Sequence, residues 1–314
     1  MKKISVVTPI YNEAESLPIL FAELTSVLAK IGDFEIIAVN DGSRDATEDV
    51  LEQESKKYPQ LKVVNFRVNR GQSAAITAGI EKATGDIYVT IDSDLENDPH
   101  DIARLINEFD QGYDVVSGWR QGRWAGSFIT RKLPSLIANK IISSITGVHL
   151  HDYGCILKAY KKTVIQDVKL YGEMHRFIPA YAVWNGARVT EIPVNFRQRR
   201  FGRSNYGITR TFRVLLDLIV IKFLARYMNR PMHFFGGIGI VSGCIGFVAF
   251  TLAFVLKVLE IRSFVDTPLP IFAALGIIVG VQLITMGVVA EMVMRTYYES
   301  QNKKPYSIKS THNL

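Results

Sequence analysis

Two apolar runs near the C-terminus constrain this 314-residue chain more than any other feature. Residues 233–256 contain no Asp, Glu, Lys or Arg, and residues 269–294 are broken only by Gln282 and Glu291. As helices they reach roughly 36 and 39 Å, enough to cross a hydrocarbon core about 30 Å thick with some tilt. A buried core hairpin would need far more soluble chain around it than this sequence supplies. The chain is therefore expected to be a soluble unit of some 200 residues, room for one α/β domain, followed by a membrane hairpin. A unit tethered in this way is expected to act on something held in the bilayer.

The formal charge of +7 could indicate nucleic acid, but its distribution argues for lipid. Between Arg188 and Arg230 ten Lys or Arg face two acids, Glu191 and Asp217, immediately before the first apolar run. Such a juxtamembrane belt suits an anionic bilayer surface. No helix-turn-helix, finger or RNA-binding signature accompanies it, so no nucleic-acid partner is expected. The loop 257–268 sums to zero charge, whereas Arg295, Lys303, Lys304 and Lys309 follow the second run. The positive-inside rule then places both the large domain and the C-terminal tail in the cytoplasm, in the inner membrane. The start, Met1 to Ile10, is short and β-branched and reads as a strand rather than an export signal. Cys155 and Cys244 fall in different parts of the chain, so no disulfide is expected.

The first half alternates β-branched runs at 4–8, 34–40, 61–66, 86–91 and 114–117 with helix-like stretches at 15–29, 46–58, 72–82 and 99–109. This alternation predicts a mostly parallel sheet covered on both faces, with ligands beyond the carboxyl ends of its strands. Further strands are expected at 153–160 and 187–196. A helix over 206–226, apolar on one side and carrying Arg210, Arg213 and Asp217 on the other, reads as interfacial or as a domain-packing helix.

The polar clusters that end these strands carry the chemistry. Asp92, Asp94 and Glu96 follow the fourth strand, and carboxylates two residues apart on an extended chain point the same way. Hard cations such as Mg²⁺ or Mn²⁺ take one or two such carboxylates plus substrate phosphates; a solvated acidic turn capping the next helix is the plainer reading. Thr8-Pro9-Ile10-Tyr11-Asn12-Glu13 closes the first strand and Asn40-Asp41-Gly42-Ser43 the second. Asp41 can accept the N3–H of a uracil and Tyr11 can stack on a base, although the second cluster is also an ordinary strand-to-helix turn. Gly71, in Asn69-Arg70-Gly71-Gln72, lets backbone come close to a ligand. Together these strand ends form a nucleotide site. No GxGxxG follows a strand, which argues against a dehydrogenase.

TPIYNE, NDGS, NRGQSAAITAG and DSDLE, in this order and spacing, resemble the family 2 glycosyltransferases of GT-A fold. Asp152-Tyr153-Gly154-Cys155, the Arg199–Ser204 segment and the C-terminal tail are similar to its polyprenyl-phosphate branch, the dolichyl-phosphate mannose synthases and bactoprenol glucosyltransferases. The resemblance implies a Rossmann-like GT-A catalytic domain over 1–205 and a juxtamembrane helix and basic linker over 206–232. Transmembrane helices follow at 233–256 and 269–294, joined by an external loop at 257–268, with a cytoplasmic tail at 295–314. It implies inverting transfer of one hexose, glucose first, from a UDP-sugar to a polyprenyl phosphate, with GDP-mannose or a UDP-4-amino-arabinose derivative as alternative donors.

By the same resemblance Pro9, Tyr11, Glu13, Asp41, Gly71 and Asp92 serve the nucleotide sugar, and Asp94 and Glu96 hold Mg²⁺ or Mn²⁺. Arg120 and Arg131 receive the lipid phosphate. Arg199 and Ser204 belong to a loop closing over the diphosphate, and Asp152 is a base or orients an arginine. The family often has Lys after Ser204, where this chain has Asn205, with Arg203 next door as a substitute charge. Processive synthases carry QxxRW, and Gln121-Gly122-Arg123-Trp124 is one residue too short. A non-catalytic nucleotide-sugar-binding scaffold is the alternative of a different class, and the intact Asp92, Asp94 and Glu96 speak against it. Glycines at 236, 237, 239, 243 and 246 permit close helix packing and suggest a homo-oligomer.

Overall fold

The computed structural model describes residues 2–121, 139–140, 142–144, 146–165, 174–198, 201, 223, 227 and 230–300. The chain divides into two compact units, Met1–Ile219 and Val220–Leu314.

In the first unit the expected alternation is realised. β1 (Ile4–Ile10), α1 (Leu17–Leu28), β2 (Phe34–Asn40), α2 (Thr47–Lys57), β3 (Leu61–Asn65), α3 (Gln72–Lys82), β4 (Ile87–Thr90) and α4 (Asp101–Asn107) follow in turn. β5 (Val115–Arg120), β6 (Lys158–Lys161), α5 (Ile178–Trp184) and β7 (Val189–Val194) come after these, with short helical turns at Glu108–Gln111, Lys162–Ile165 and Met174–Phe177. Every residue of β1 and β2 is buried, as expected for parallel strands covered on both faces. α1 buries Leu17, Leu20, Phe21, Leu24 and Leu28 along one stripe, and Pro18 suits its first turn, where no amide partner is lost. α3 lies close against the sheet at Gly79: a Cβ there would stand 2.2 Å from Val7 Cγ1.

The seven strands run in the order β3-β2-β1-β4-β6-β5-β7. β1 pairs in parallel with β2 and β4, β2 with β3, and β5 with β7, whereas β6 is antiparallel to both β4 and β5. Since β6 opposes two strands, β5 runs parallel to β4. The carboxyl ends of the six other strands and the start of β6 therefore share one edge of the sheet.

The strand expected at 153–160 is shorter than its sequence suggests. Only Lys158–Lys161 pairs, while 153–157 turns and runs into it. The cause is local: Asp152 Oδ1 accepts the Gly154 amide at 3.1 Å, and the Cys155 amide returns to the Asp152 carbonyl at 3.4 Å. The acidic segment also departs from the expected extended geometry. β4 ends at Thr90, residues 93–95 bend, and Leu95 adopts φ of 61° while 3% exposed in the core. A branched side chain in the left-handed region is held there by its burial, and strain of this kind gathers at functional sites.

In the second unit, α6 (Pro231–Val258) and α7 (Leu269–Ser300) form a hairpin. Each carries a stretch long and apolar enough to cross a membrane, with mean hydropathy of 2.3. The helices approach closely at glycines: a Cβ on Gly239 would lie 2.8 Å from the Gly280 carbonyl, and one on Gly246 2.8 Å from that of Ala273. Ser242 Oγ donates to the Gly276 carbonyl at 2.9 Å. Three of the five glycines thus serve packing within the hairpin: Gly239, Gly246 and Gly243, whose backbone lies 3.1 Å from where a Cβ on Gly280 would stand, while Gly237 faces open space. Phe247, Val248, Ile271 and Val281 are among the large apolar side chains that face outward.

Candidate active site

At the shared sheet edge the ends of β1 and β2 are stitched together by side chains. Asn12, at φ of 55°, accepts the Arg44 amide on Oδ1 at 2.8 Å, and its own amide donates to Ser43 Oγ at 3.0 Å. The Glu13 amide donates to Thr47 Oγ1 at 3.0 Å. The Glu13 carboxylate accepts Ser16 Oγ at 3.0 Å, which caps the approach to α1. Tyr11 is half-buried beside these loops. Pro9 belongs to β1, and its carbonyl accepts Ser93 Oγ at 3.2 Å, tying this strand to the acidic segment.

Asp41 is 4% exposed and does more than its sequence context suggests. Its Oδ1 accepts the Arg70 amide at 2.6 Å and its Oδ2 the Gly71 amide at 2.8 Å, so it holds the loop that enters α3. Burial raises its pKa, outweighing the opposing pull of those two amides. Each oxygen keeps a second lone pair for a further donor. The loops meet because Gly42 has no side chain: at φ of 65°, a Cβ would stand 2.5 Å from the Val68 carbonyl carbon. Gly71, at φ of 90°, has open space on its Cβ side.

The acidic segment is oriented from two directions. Gln72, at the start of α3, donates Nε2 to Asp92 Oδ1 at 2.7 Å. Asp94, 9% exposed, accepts the Glu96 amide on Oδ1 at 3.1 Å. The Glu96 carbonyl accepts the Arg197 amide at 2.8 Å, and Asn97 bridges to Phe196. The chain leading to Arg199 is therefore rooted on the acidic segment. Among the described residues, no group of three or more His, Cys, Asp and Glu side chains is gathered as a metal cluster.

Arg120, at the end of β5, has a side chain 2% exposed and forms a two-pronged ion pair with Asp152. Its Nε donates to Oδ2 at 2.8 Å and its NH2 to Oδ1 at 3.1 Å. This planar fork fixes both partners more tightly than a single bond. Behind it Trp119 stacks on His151, with ring centres 4.3 Å apart, and His151 is held by Glu191 of β7. Arg131, Arg199 and Ser204 lie outside the described residues, as do Trp124, Arg203, Asn205, most of the 206–226 stretch and the tail beyond residue 300.

The structure thus brings Pro9, Tyr11, Glu13, Asp41, Gly71, Asp92, Asp94, Glu96, Arg120 and Asp152 to one sheet edge. Gln72 and the buried pair Ser73 Oγ and His175 Nδ1, 2.7 Å apart, join this neighbourhood without having stood out as site residues. Gln72 sits inside the NRGQ motif, so its position was visible; His175 had no such signal.

The family model of Glycosyl transferase family 2 matches residues 5–169. The chain belongs to glycosyltransferase family 2. This glycosyltransferase is 39% identical over 312 residues to a dodecaprenyl-phosphate galacturonate synthase of Rhizobium johnstonii, with 98% of this chain and 92% of the relative covered. It is 37% identical to an undecaprenyl-phosphate 4-deoxy-4-formamido-L-arabinose transferase of Enterobacter sp., again with 98% and 92% covered. Its fold is similar to glucosyl-3-phosphoglycerate synthase from Mycobacterium tuberculosis, solved with Mn²⁺, UDP and phosphoglyceric acid. That likeness has a TM-score of 0.55 at 17% identity and covers 72% of this chain and 78% of the other. The GT-A architecture is thereby shown.

Proposed function

We propose that this glycosyltransferase moves a single sugar from a nucleotide sugar to a polyprenyl phosphate at the cytoplasmic face of the inner membrane. The observation that carries the reading is the placement of two unlike groups at one sheet edge. The acidic segment Asp92–Glu96 leaves β4 and the Arg120–Asp152 pair ends β5, with only β6 between them. Neighbouring strands lie about 4.8 Å apart, so the two ends are separated by about 10 Å, a span that a sugar joining a diphosphate to a phosphate can fill. Names of the relatives, both polyprenyl-phosphate enzymes, support the acceptor, and the hairpin supports a membrane location. Orientation rests on the basic residues that flank the hairpin.

The nucleoside is placed at Tyr11, Glu13 and Asp41, and the nucleotide sugar against Asp92, which Gln72 holds in position. The oxygen donors of Asp94 and Glu96 suit a hard divalent cation, since such ions complete their shell with substrate phosphates rather than a full protein cage. When bound, Mg²⁺ or Mn²⁺ supplies Lewis-acid stabilisation of charge on the leaving diphosphate. A lipid monophosphate, with a second pKa of about 6, is already a competent oxygen nucleophile near neutral pH. It needs orientation and charge neutralisation more than deprotonation, and Arg120 provides both. In-line attack at the anomeric carbon inverts its configuration in one step. Asp152, spanned by the guanidinium on both oxygens, is better suited to aiming Arg120 than to taking a proton. Arg131, Arg199 and Ser204 are assigned to the lipid phosphate and the closing loop by resemblance. Self-association through the first span, where Gly237 faces open space, completes the proposal.

The test is to incubate the purified full-length protein with labelled nucleotide sugars and a polyprenyl phosphate, then count the organic phase. UDP-glucose is the first expectation; GDP-mannose, UDP-galacturonate and UDP-4-deoxy-4-formamido-arabinose complete the panel, the last two suggested by the relatives' names. One labelled lipid carrying a single sugar is expected. Absence of lipid-linked label with every donor, or a ladder of polymer lengths, would refute it.

A further inference from the structure

Ser73 and His175 lie 102 residues apart in sequence, and both are buried, at 3% and 2% exposed. Ser73 belongs to the first turn of α3, and His175 to the helical turn Met174–Phe177 that leads into α5. One hydroxyl joins them twice. Ser73 Oγ lies 2.7 Å from His175 Nδ1, and it accepts the His175 amide at 3.3 Å. A hydroxyl carries one proton and two lone pairs, so both contacts are satisfied together whichever ring nitrogen holds the imidazole proton. No step of the transfer proposed above uses either residue.

The firm end of this link is at His175. Met174, Phe177 and Ile178 are buried with it, and Phe177 packs against Tyr153 with ring centres 6.3 Å apart. The start of α3 is held less by its own sequence. Gly71 stands at its N-cap without a side chain, and no side-chain bond caps the helix. Helix ends fray unless groups from outside hold them. On the loop side Asp41 accepts the Gly71 amide at 2.8 Å, and on the helix side His175 holds Ser73. Between these two fixed points sits Gln72, whose Nε2 reaches Asp92 Oδ1 at 2.7 Å. A side chain on the first residue of a helix keeps its aim only while that turn stays closed.

We propose that His175, through Ser73, is a positioning residue for the nucleotide sugar: it locks the first turn of α3, so that Gln72 meets Asp92 and Gly71 meets Asp41 in one fixed geometry. The inference rests on the nucleotide site proposed above.

Two measurements on the full-length protein in detergent test it, on wild type, Ser73→Ala, His175→Asn and His175→Gln. The amide of Asn takes the place of Nδ1, whereas that of Gln reaches the place of Nε2 and leaves Ser73 unpaired. Hydrogen exchange on peptides covering residues 69–76, with α1 as a control, reads the turn without any ligand. Equilibrium binding of labelled UDP, with GDP in parallel, reads the consequence. Ser73→Ala and His175→Gln are expected to speed exchange over 69–76 about tenfold and to weaken the preferred nucleotide about tenfold, the size of one buried hydrogen bond. Exchange in α1 is unchanged, and His175→Asn keeps most of the wild-type behaviour in both measurements. Should the His175 variants fail to fold, Ser73→Ala decides, since it removes a single oxygen. Unchanged exchange over 69–76 in Ser73→Ala overturns the proposal, as does equal acceleration in α1. Wild-type nucleotide affinity in Ser73→Ala also overturns it, as does a His175→Asn variant as impaired as His175→Gln. Wild type that binds neither nucleotide refutes instead the nucleotide reading on which the inference rests.

Discussion

The Arg120–Asp152 pair allows the two roles of Asp152 to be separated by a double-mutant cycle. The charge centres of a two-pronged guanidinium–carboxylate pair lie about 4 Å apart, an attraction of about 4 kcal/mol at an effective dielectric near 20. Arg120 is 2% exposed and Asp152 16%, so screening reduces this only in part. Breaking a buried pair from one side costs about 3–5 kcal/mol because the other charge is left uncompensated. If Asp152 acts through Arg120, Asp152→Asn lowers kcat/KM for the lipid phosphate by about 2–3 kcal/mol, or roughly 30- to 150-fold, and removes little once Arg120 is Met. The coupling between the two substitutions should then equal most of the single effect. Four proteins suffice: wild type, Arg120→Met, Asp152→Asn and the double variant, assayed by label in the organic phase, with melting temperatures to normalise folding. A general base contributes about 10²–10⁴-fold whether or not the arginine is present. Additive losses in the cycle would therefore refute the positioning role and restore Asp152 as the base.

Asp94→Asn should abolish transfer while leaving the melting temperature within a few degrees, and Mn²⁺ or Mg²⁺ should no longer stimulate; substantial metal-stimulated activity in this variant removes the cation role. Glu35 should give the fold an acid-sensitive limb. Burial pushes its carboxyl up, but bonds from Lys62, Ser5 and Thr84 outweigh that and hold it at about 2, below its ordinary 4.5. The stabilisation is present above about pH 4.5 and is lost as the pH falls through about 2. It amounts to at most about 3 kcal/mol, less solvent screening of the partly exposed Lys3 and Lys62. Glu35→Gln should flatten the decline of melting temperature over that range, and an unchanged slope would count against it. Gly276→Leu should splay the hairpin, because even a Cβ there stands 2.8 Å from Gly246 Cα. The distance between spin labels at the outward-facing positions 248 and 271 should lengthen in that variant, and an unaltered distance would contradict the packing described.

Much of this molecule is legible in its amino-acid sequence alone. The β-branched runs and intervening amphipathic stretches determined β1 to β4 and α1 to α4, because each element's period of burial is written in consecutive residues. The two apolar runs likewise determined the hairpin, and the motifs ending β1, β2, β4 and the Asn69–Gln72 stretch marked the polar edge of the sheet. Tertiary structure decided what depends on partners distant in the chain. It inserted β6 antiparallel between β4 and β5, which brings Asp152 onto Arg120 across 32 residues of sequence. Burying Lys158 at the start of β6, and turning Asp41 toward the Arg70 and Gly71 amides, required the same closure. It also replaced the expected extended acidic strand with a bend at Leu95, held by core burial rather than by local preference. Periodicity reports which face of an element is apolar. Which other element covers that face, and which charge meets which, is settled only when long-range contacts repay the entropy of closing the chain.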